Sequence, residues 1–224
     1  MDMETVRETI AGYMQHQKKD RVERFRHLNL FVKKGQIVFA GSSLMEQFPI
    51  DELLMDLDLP YCIYNRGIGG FTTSEMAEVL KECVIDLEPS VLFINIGTND
   101  MNGDDYKEEA LISNYRDIIS RIQEALPEVR IFTMAYYPVN GEVGKRNPMT
   151  AHTYECRTNA RIKAANEAVK RMSEEMGLTY IDANEGLTDA EGNLLEEITV
   201  DGMHMYADGY RIVLDNLLPV LKSL

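Results

Sequence analysis

The chain is poor in cysteine and has no excess of positive charge. Its 224 residues include three cysteines and no tryptophan, and 23 lysine and arginine residues face 37 acidic residues, a formal net charge of -14. Nucleic acid and anionic membrane surfaces both favour clustered Lys and Arg, so this balance argues against either partner. The one basic segment, HQKKDRVERFRH (16–27), is interrupted by acids and predicts a solvated helix face, not a binding patch.

Other features that the sequence lacks bear on its cellular compartment and on metal binding. Cys62, Cys83 and Cys156 are far apart and form no CxxC pair, which predicts reduced core thiols in a cytoplasmic protein. The first residues show no cationic leader followed by an apolar run, and no stretch of about 18 apolar residues occurs. The chain also lacks the DxH pair of metallophosphatases, and we expect no metal site.

Short β-branched runs recur along the chain, and each is followed by a stretch with helical periodicity. Such alternation predicts βα units around a parallel sheet, and continuously apolar runs are typical of strands covered on both faces. We therefore expect an α/β fold with a five-stranded parallel sheet in a single domain, residues 1–224. The five runs are 36–41, 61–65, 90–97, 129–137 and 178–182.

Three other segments complete the organisation. Residues 1–33 predict an amphipathic helical lead-in, with Val6, Ile10 and Tyr13 or Met14 on one face. After the second run, Thr72 or Thr73 can begin a helix as its N-cap. Segment 138–155 is the longest without periodicity, and a loop of that length is often functional or mobile. An exposed lead-in helix is compatible with a homodimer.

Polar and glycine-rich blocks follow the predicted strands, where an open parallel sheet places its ligand site. The blocks are GSSL (41–44), NRGIGG (65–70) and GTND (97–100), and DGMH (201–204) precedes the last helix. A serine attacks a carbonyl only when an imidazole removes its proton, and the imidazole needs a carboxylate to orient it. The tetrahedral oxyanion needs N–H donors, which glycine backbone and an asparagine amide can supply. These blocks therefore predict acyl transfer.

In order and approximate spacing, the four blocks resemble those of the SGNH or GDSL-type esterases and acylhydrolases, which have a flavodoxin-like, three-layer α/β/α fold. The resemblance extends from about residue 36 to the end of the chain. It implies Ser43 as nucleophile, His204 as base with Asp201 as its orienting acid, and Ser43, Gly70 and Asn99 as oxyanion donors. Acyl-platelet-activating-factor hydrolases and carbohydrate O-deacetylases are the most similar in layout, and they imply no metal or organic cofactor.

The first block departs from the family pattern. Members usually read Gly-Asp-Ser, whereas here Ser42 replaces the aspartate, which is not a triad member. Its loss is expected to weaken the hydrogen bonding around the nucleophile turn. Two adjacent serines are therefore candidates, with Ser43 at the family's position and Ser42 as the alternative.

Each block also has a purely structural interpretation. Ser42 or Ser43 can be a helix N-cap. Gly67 and Gly69 can permit a tight turn with positive φ, as can Gly70. Asn99 can bond to nearby turn backbone, and Asp100 is expected to be structural.

The histidine block has the same ambiguity, because Asp201 and His204 can cap the last helix. Of the four histidines, we find an acid at triad-compatible spacing only for His204.

The sequence and the family resemblance thus predict a serine esterase that cleaves small acyl esters, acetyl esters by family analogy, through an acyl-enzyme. Carbohydrate O-deacetylation is one form of this activity. One alternative is a thioesterase or lysophospholipase with an apolar groove near Tyr136 and Tyr137 or in loop 138–155. Another is a binding module that recognises an acylated sugar without hydrolysing it.

Overall fold

The computed structural model describes residues 3–224, and its centre is a five-stranded parallel sheet. The strands run in the order β2-β1-β3-β4-β5, and every neighbouring pair is parallel. This is the order of flavodoxin-like doubly wound folds. The predicted fold class is confirmed; four strands are shorter than their apolar runs, and β2 begins and ends two residues later than its run. Their bounds are β1 Ile37–Gly41, β2 Ile63–Gly67, β3 Val91–Asn95, β4 Arg130–Met134 and β5 Thr179–Ile181.

Helices cover both faces of the sheet. Along β1, Val38 and Ala40 join one core cluster while Ile37 and Phe39 join the other, because successive side chains of a strand point to opposite faces. In the described part of the chain the α-helices are α1 Met3–Leu28, α2 Ser43–Glu46, α3 Ile50–Asp56, α4 Thr73–Glu78, α5 Leu80–Cys83, α6 Glu108–Ala125, α7 Gly141–Gly144, α8 Ala151–Cys156, α9 Asn159–Glu175 and α10 Ala207–Leu221.

The two core clusters divide these helices. One face packs against α1, α4, α5, α6 and α9, and the other packs against α2, α3 and α10. Thr72 begins α4 with a capping box, in which its side chain accepts from the Glu75 N–H and the Glu75 carboxylate accepts from the Thr72 N–H. Thr72 is therefore the cap among the two predicted candidates. None of the helices within residues 3–224 has the length and hydrophobicity to cross a bilayer.

The lead-in helix forms, but its apolar face differs from the predicted one. Ile10, Tyr13 and Met14 are exposed, at 43%, 64% and 48% of their full area. The helix is anchored by Phe25, which is 2% exposed in the core. The basic segment is also more than a solvated face, since the Lys18 side chain is only 12% exposed and forms an ion pair with Glu75. Ile10, Tyr13 and Met14 thus lie at the surface, whereas Phe25 packs in the core.

Two smaller predictions need correction. Segment 138–155 is not a plain loop, because it contains the short helices α7 and α8. The cysteines are free, as expected, but only Cys83 and Cys156 are buried and Cys62 is exposed. Short helices escape a periodicity argument because four to six residues cover little more than one turn.

Candidate active site

A chain of hydrogen bonds joins Ser43, His204 and Asp201 at the carboxyl edge of the sheet. The distance from Ser43 Oγ to His204 Nε2 is 2.8 Å, although the two residues are 161 positions apart. On the other side of the ring, His204 Nδ1 lies 2.7 Å from Asp201 Oδ2. A hydroxyl hydrogen-bonded to an imidazole that a carboxylate orients can act as an activated nucleophile.

The turn that carries Ser43 is held by close packing behind it. β1 ends at Gly41, where an added Cβ would lie 2.2 Å from the Asn95 carbonyl oxygen, so no larger residue fits. Ser42 has extended backbone and α2 begins at Ser43. From β2, the Asn65 amide donates to the carbonyl oxygen of Met45 at 2.6 Å, which ties α2 to the sheet.

The neighbouring Ser42 is in a different environment. It is fully buried, and its hydroxyl has no hydrogen-bond partner among residues 3–224. It occupies the N-cap position of α2, but its side chain makes no capping bond. The capping interpretation of the serine pair is therefore wrong for the side chain, and Ser43 is the serine that contacts the imidazole.

Asp201 and His204 belong to one tight turn. Asp201 Oδ1 accepts hydrogen bonds from the backbone N–H groups of Met203 and His204, at 3.0 and 2.9 Å. Gly202 has φ +100°, and a Cβ there would lie 2.5 Å from the Asn140 carbonyl oxygen. Only glycine therefore suits the second position of DGMH. Because α10 begins at Ala207, neither Asp201 nor His204 caps it, and that interpretation is wrong.

The carboxylate of Asp201 is held in its ionised form. Partial burial works against ionisation, but hydrogen bonds from the His204 ring and from two backbone N–H groups outweigh it and lower the pKa of Asp201 to about 2. The carboxylate is consequently negative at neutral pH, as a group that orients and stabilises a protonated imidazole must be.

The NRGIGG loop presents Gly70 beside the serine. Gly70 has φ +74°, and its backbone N–H donates to no acceptor in the described part of the chain. Gly67 and Gly69 do not have positive φ, contrary to expectation. Gly67 is needed instead for packing, because a Cβ there would lie 2.1 Å from the Glu46 backbone nitrogen. Gly69 donates its N–H to the Glu46 carboxylate at 2.8 Å, which ties the loop to α2.

Asn99 is held at both ends of its amide. Its Nδ2 donates to the Phe71 carbonyl oxygen at 2.9 Å, and its Oδ1 accepts from the Asn102 amide at 3.2 Å. A primary amide carries two N–H bonds, so one remains for another acceptor. Next to it, Asp100 accepts from the Thr73 N–H at 3.0 Å and so braces the start of α4, in keeping with its expected structural part.

Arg157 is the residue at this site that sequence reasoning missed. Its guanidinium donates to Asn99 Oδ1 at 2.8 Å and contacts the Met203 sulfur at 3.2 Å. The residue is 2% exposed, and no described carboxylate forms an ion pair with it. Burial lowers the pKa of Arg157 to about 10, so the group stays a cation at neutral pH. An arginine after a short, aperiodic helix has no sequence signal that marks it as buried.

The site opens into a cleft of about 600 Å³, and α1 forms one of its walls. The serine, both candidate oxyanion residues and the acid–base pair all reach it. The rest of the lining is mainly polar or charged. From α1 come Met14, Gln17, Lys18, Asp20, Arg21 and Arg24; other contributors are Glu46, Gln47, Ile68, Gly69, Asn102, Thr150, Thr153 and Met203.

The alternative function on long acyl chains requires an apolar groove. Tyr136 and Tyr137, near which that alternative places the groove, are 0% and 1% exposed and belong to the core. Segment 138–155 contributes only Thr150 and Thr153 to the lining. The apolar side chains that reach the cleft are few and lie among polar ones.

Comparison with known proteins agrees with this fold. Residues 53–212 match the family model described as the GDSL-like Lipase/Acylhydrolase family, a range that contains Gly70, Asn99, Asp201 and His204 and begins after Ser43. The chain is 23% identical over 193 residues to bovine platelet-activating factor acetylhydrolase IB subunit alpha1, covering 86% of this chain and 77% of that protein. It is also 23% identical to an N-acylneuraminate cytidylyltransferase of Escherichia coli, but spans only 42% of that protein.

Solved structures show the same fold. A Streptococcus pneumonia protein named for platelet activating factor superposes with a TM-score of 0.88 at 26% identity, covering 98% of this chain and 100% of that one. An acetyl xylan esterase, AlAXEase, superposes with a TM-score of 0.65 at 16% identity, covering 83% and 99%. Since the family model matches most of the chain, this protein belongs to the GDSL-like lipase/acylhydrolase family, whose members hydrolyse ester bonds.

Proposed function

We propose that this acylhydrolase is a serine esterase that removes small acyl groups, chiefly acetyl, from a polar alcohol such as a carbohydrate. The observation that carries the proposal is the hydrogen-bonded series Ser43–His204–Asp201, with distances of 2.8 and 2.7 Å. A serine, an imidazole and an ionised carboxylate in this order perform acyl transfer on several unrelated folds.

In the first half of the proposed reaction, Ser43 Oγ bonds to the acyl carbon while its proton passes to His204 Nε2. Asp201 stabilises the imidazolium that results. When the tetrahedral intermediate collapses, the carbon–oxygen bond to the alcohol breaks and His204 returns the proton to the leaving oxygen. In the second half, His204 takes a proton from water while the water oxygen bonds to the acyl carbon. The bond from that carbon to Ser43 Oγ then breaks, His204 gives the proton to Ser43 Oγ, and the acid leaves.

The oxyanion that forms in each half needs donors aimed at one point. We assign this part to the backbone N–H groups of Ser43 and Gly70 and to the remaining N–H of the Asn99 amide. Support comes from two features: the Gly70 N–H has no acceptor in the described chain, and Asn99 keeps one free donor after bonding to Phe71.

The preference for a small acyl group and a polar alcohol rests on the cleft. Its α1 wall supplies Gln17, Lys18, Arg21 and Arg24, which offer donors to hydroxyl and ether oxygens. A long alkyl chain bound there would remove these polar and charged groups from water, which is unfavourable. The names of the bovine relative and of the xylan esterase, both of which specify acetyl groups, point the same way.

The proposal is tested by hydrolysis of p-nitrophenyl acetate, butyrate and octanoate, and of a peracetylated xylose, by the wild type, Ser43→Ala and His204→Ala. Ser42→Ala is the matched control, since it removes a neighbouring hydroxyl that does not contact the imidazole. We expect kcat to fall by roughly 10⁴-fold or more in the first two variants and little in the control. The acetyl ester should be preferred to the octanoyl ester.

A covalent probe separates catalysis from binding. A fluorophosphonate should add one mass increment to the wild type and Ser42→Ala and none to Ser43→Ala, because only an activated serine reacts. An unlabelled wild type that is no faster than Ser43→Ala would favour a non-catalytic binding module. Preference for octanoyl esters would instead favour a thioesterase or lysophospholipase.

A further inference from the structure

Three metal-ligating side chains meet next to the active-site cleft. His152 and Cys156 lie four residues apart on α8, so they share one face of that helix. Asp104 approaches them from the turn that follows Asn99–Met101. One ligand atom from each of the three residues lies within 4.8 Å of the other two. The three are not part of the proposed hydrolytic mechanism.

The separations match the edges of a tetrahedron around zinc. His152 Nε2 lies 3.3 Å from Asp104 Oδ2 and 3.6 Å from Cys156 Sγ, and Cys156 Sγ lies 3.4 Å from Asp104 Oδ1. Tetrahedral bonds of about 2.1 Å to nitrogen and oxygen and about 2.3 Å to sulfur place N and O about 3.4 Å apart, and S about 3.6 Å from either. Rotation of the carboxylate would let one oxygen serve both contacts.

The surroundings also favour a cation. Glu155 Oε2 lies 3.2 Å from His152 Nδ1, so the Nδ1–H can donate to this carboxylate and leave the Nε2 lone pair directed at the cluster. Carboxylates commonly orient metal-binding histidines in this way. The Arg161 guanidinium donates to the carbonyl oxygens of Met101 and Gly103, each at 3.2 Å, and so holds the turn that carries Asp104.

The three-residue cluster is buried on the side of Cys156 and open to solvent on the side of Asp104 and His152. Cys156 is 3% exposed, whereas the side chains of Asp104 and His152 are 85% and 62% exposed. A metal ion could therefore enter from solvent and keep a water molecule as its fourth ligand. Sites with three protein ligands and a water molecule are well known for zinc.

We propose that Asp104, His152 and Cys156 form a binding site for a zinc-type divalent cation, with a fourth position open to solvent. Binding forms the sulfur–metal bond and releases the thiol proton of Cys156 to solvent. The ion would connect the turn after Asn99 to the end of α8, next to Arg157. These two segments meet at Asn99 Oδ1, so the ion would brace the active site from outside the cleft.

The test uses the untagged full chain, dialysed against a chelator and titrated with Co²⁺ and then with Zn²⁺. We expect one equivalent of Co²⁺ to give intense visible bands of tetrahedral cobalt and a near-ultraviolet thiolate charge-transfer band, and Zn²⁺ to abolish both. The charge-transfer band should be missing in Cys156→Ser and present in the control Cys62→Ser, which removes an exposed thiol elsewhere.

Calorimetry with Zn²⁺ tests the two exposed ligands, whose replacement does not disturb the core. His152→Gln and Asp104→Asn should weaken binding by more than the roughly 10–100-fold expected for the supporting variant Glu155→Gln. If the wild type does not bind Zn²⁺ stoichiometrically, the proposal is overturned. The cluster would then be explained by the contacts of His152 with the carboxylates of Asp104 and Glu155. A charge-transfer band that survives in Cys156→Ser would also overturn the proposal. Neither readout depends on esterase activity.

Discussion

The guanidinium of Arg157 donates a 2.8 Å hydrogen bond to the amide oxygen of Asn99, and it does so from a position where it is 2% exposed and has no described carboxylate partner. A donor to the amide oxygen polarises the amide and directs its N–H groups away from the arginine. It also places a buried positive charge in contact with a proposed oxyanion donor. Arg157 is therefore a positioning residue that would act through Asn99.

Replacement of Arg157 should reduce turnover more than substrate binding. For Arg157→Met we expect kcat with p-nitrophenyl acetate to fall by roughly 10–100-fold, less than the 10²–10³-fold reported for loss of an oxyanion donor, with KM nearly unchanged. Arg157→Lys, which keeps the charge, should recover part of the loss. An equal loss of kcat in Arg157→Met and Arg157→Lys, or a change confined to KM, would contradict a positioning role for Arg157. Arg116→Gln, at the surface, is the control for loss of an arginine.

Gly70 permits a comparison in which backbone strain is held constant. Gly70 and Gly177 have φ of +74° and +70°, so alanine is strained by about 1–2 kcal/mol at either position. A Cβ at Gly70 would lie 3.1 Å from Lys18 Cε, whereas at Gly177 it would meet nothing within 4 Å. We expect Gly70→Ala to lower kcat by at least roughly tenfold and Gly177→Ala to leave it unchanged, while both lower the Tm. Equal activities would exclude Gly70 from the oxyanion site.

Ser42→Ala should be tolerated despite complete burial of the residue. The Ser42 hydroxyl has no partner in residues 3–224, so the substitution breaks no recorded hydrogen bond. Removing an unpaired buried hydroxyl is close to neutral, and we expect the free energy of unfolding to change by less than about 1 kcal/mol. Urea denaturation measures this change. A loss of several kcal/mol would show that the hydroxyl has a stabilising partner.

Asp201 makes the free energy of unfolding depend on pH in the acidic range. Its pKa of about 2 in the folded chain lies below its ordinary value of 3.8, so its ionised form favours folding at pH values above about 4, and this contribution disappears as pH falls through about 2. With the side chain 44% exposed, screening reduces the contribution to the order of 1 kcal/mol. The stability difference between wild type and Asp201→Asn, measured by urea unfolding, should shrink as the pH falls from about 5 toward about 3. A difference independent of pH would contradict this account.

Arg21 on α1 should influence the alcohol side of the substrate. It lines the cleft and lies 3.4 Å from Glu46, whose carboxylate also accepts from the Gly69 N–H. For Arg21→Gln we expect KM for a peracetylated sugar to rise by up to roughly tenfold, the value of one charge-assisted hydrogen bond, with little change for p-nitrophenyl acetate. Arg121→Gln, on the outer surface of α6, is the control. Equal effects on both esters would show that Arg21 supports the loop and does not contact the alcohol.

The parallel sheet and the residues at its carboxyl edge could be predicted because both depend on local patterns. Apolar runs followed by helical periodicity located all five strands, and the blocks at their ends placed Ser43 and His204 at one edge, where the structure brings them within 2.8 Å. Other features depend on packing between distant segments. The burial of Arg157 requires α8 to lie against Asn99, and the approach of Asp104 to His152 requires the same pair of segments to meet.

Acids spaced close to histidines show the same limit. His152 also has an acid three residues away, Glu155, so the prediction that only His204 has one at this spacing is wrong. The spacing alone could not tell these pairs apart, because what distinguishes them is the third partner. For His204 that partner is Ser43 on the turn after β1, and for His152 it is Asp104 together with Cys156.

The position of α1 along one wall of the cleft has an evolutionary consequence. The groups proposed for the chemistry are spread from residue 43 to residue 204. Much of the other cleft surface, which is proposed to meet the alcohol, comes from residues 14–24, ahead of the first strand. Mutation or exchange of this leading helix can therefore change which alcohol is accepted while the four sequence blocks stay intact. Relatives with the same blocks and different leading helices are expected to differ in substrate, and the blocks alone are a poor guide to specificity in this family.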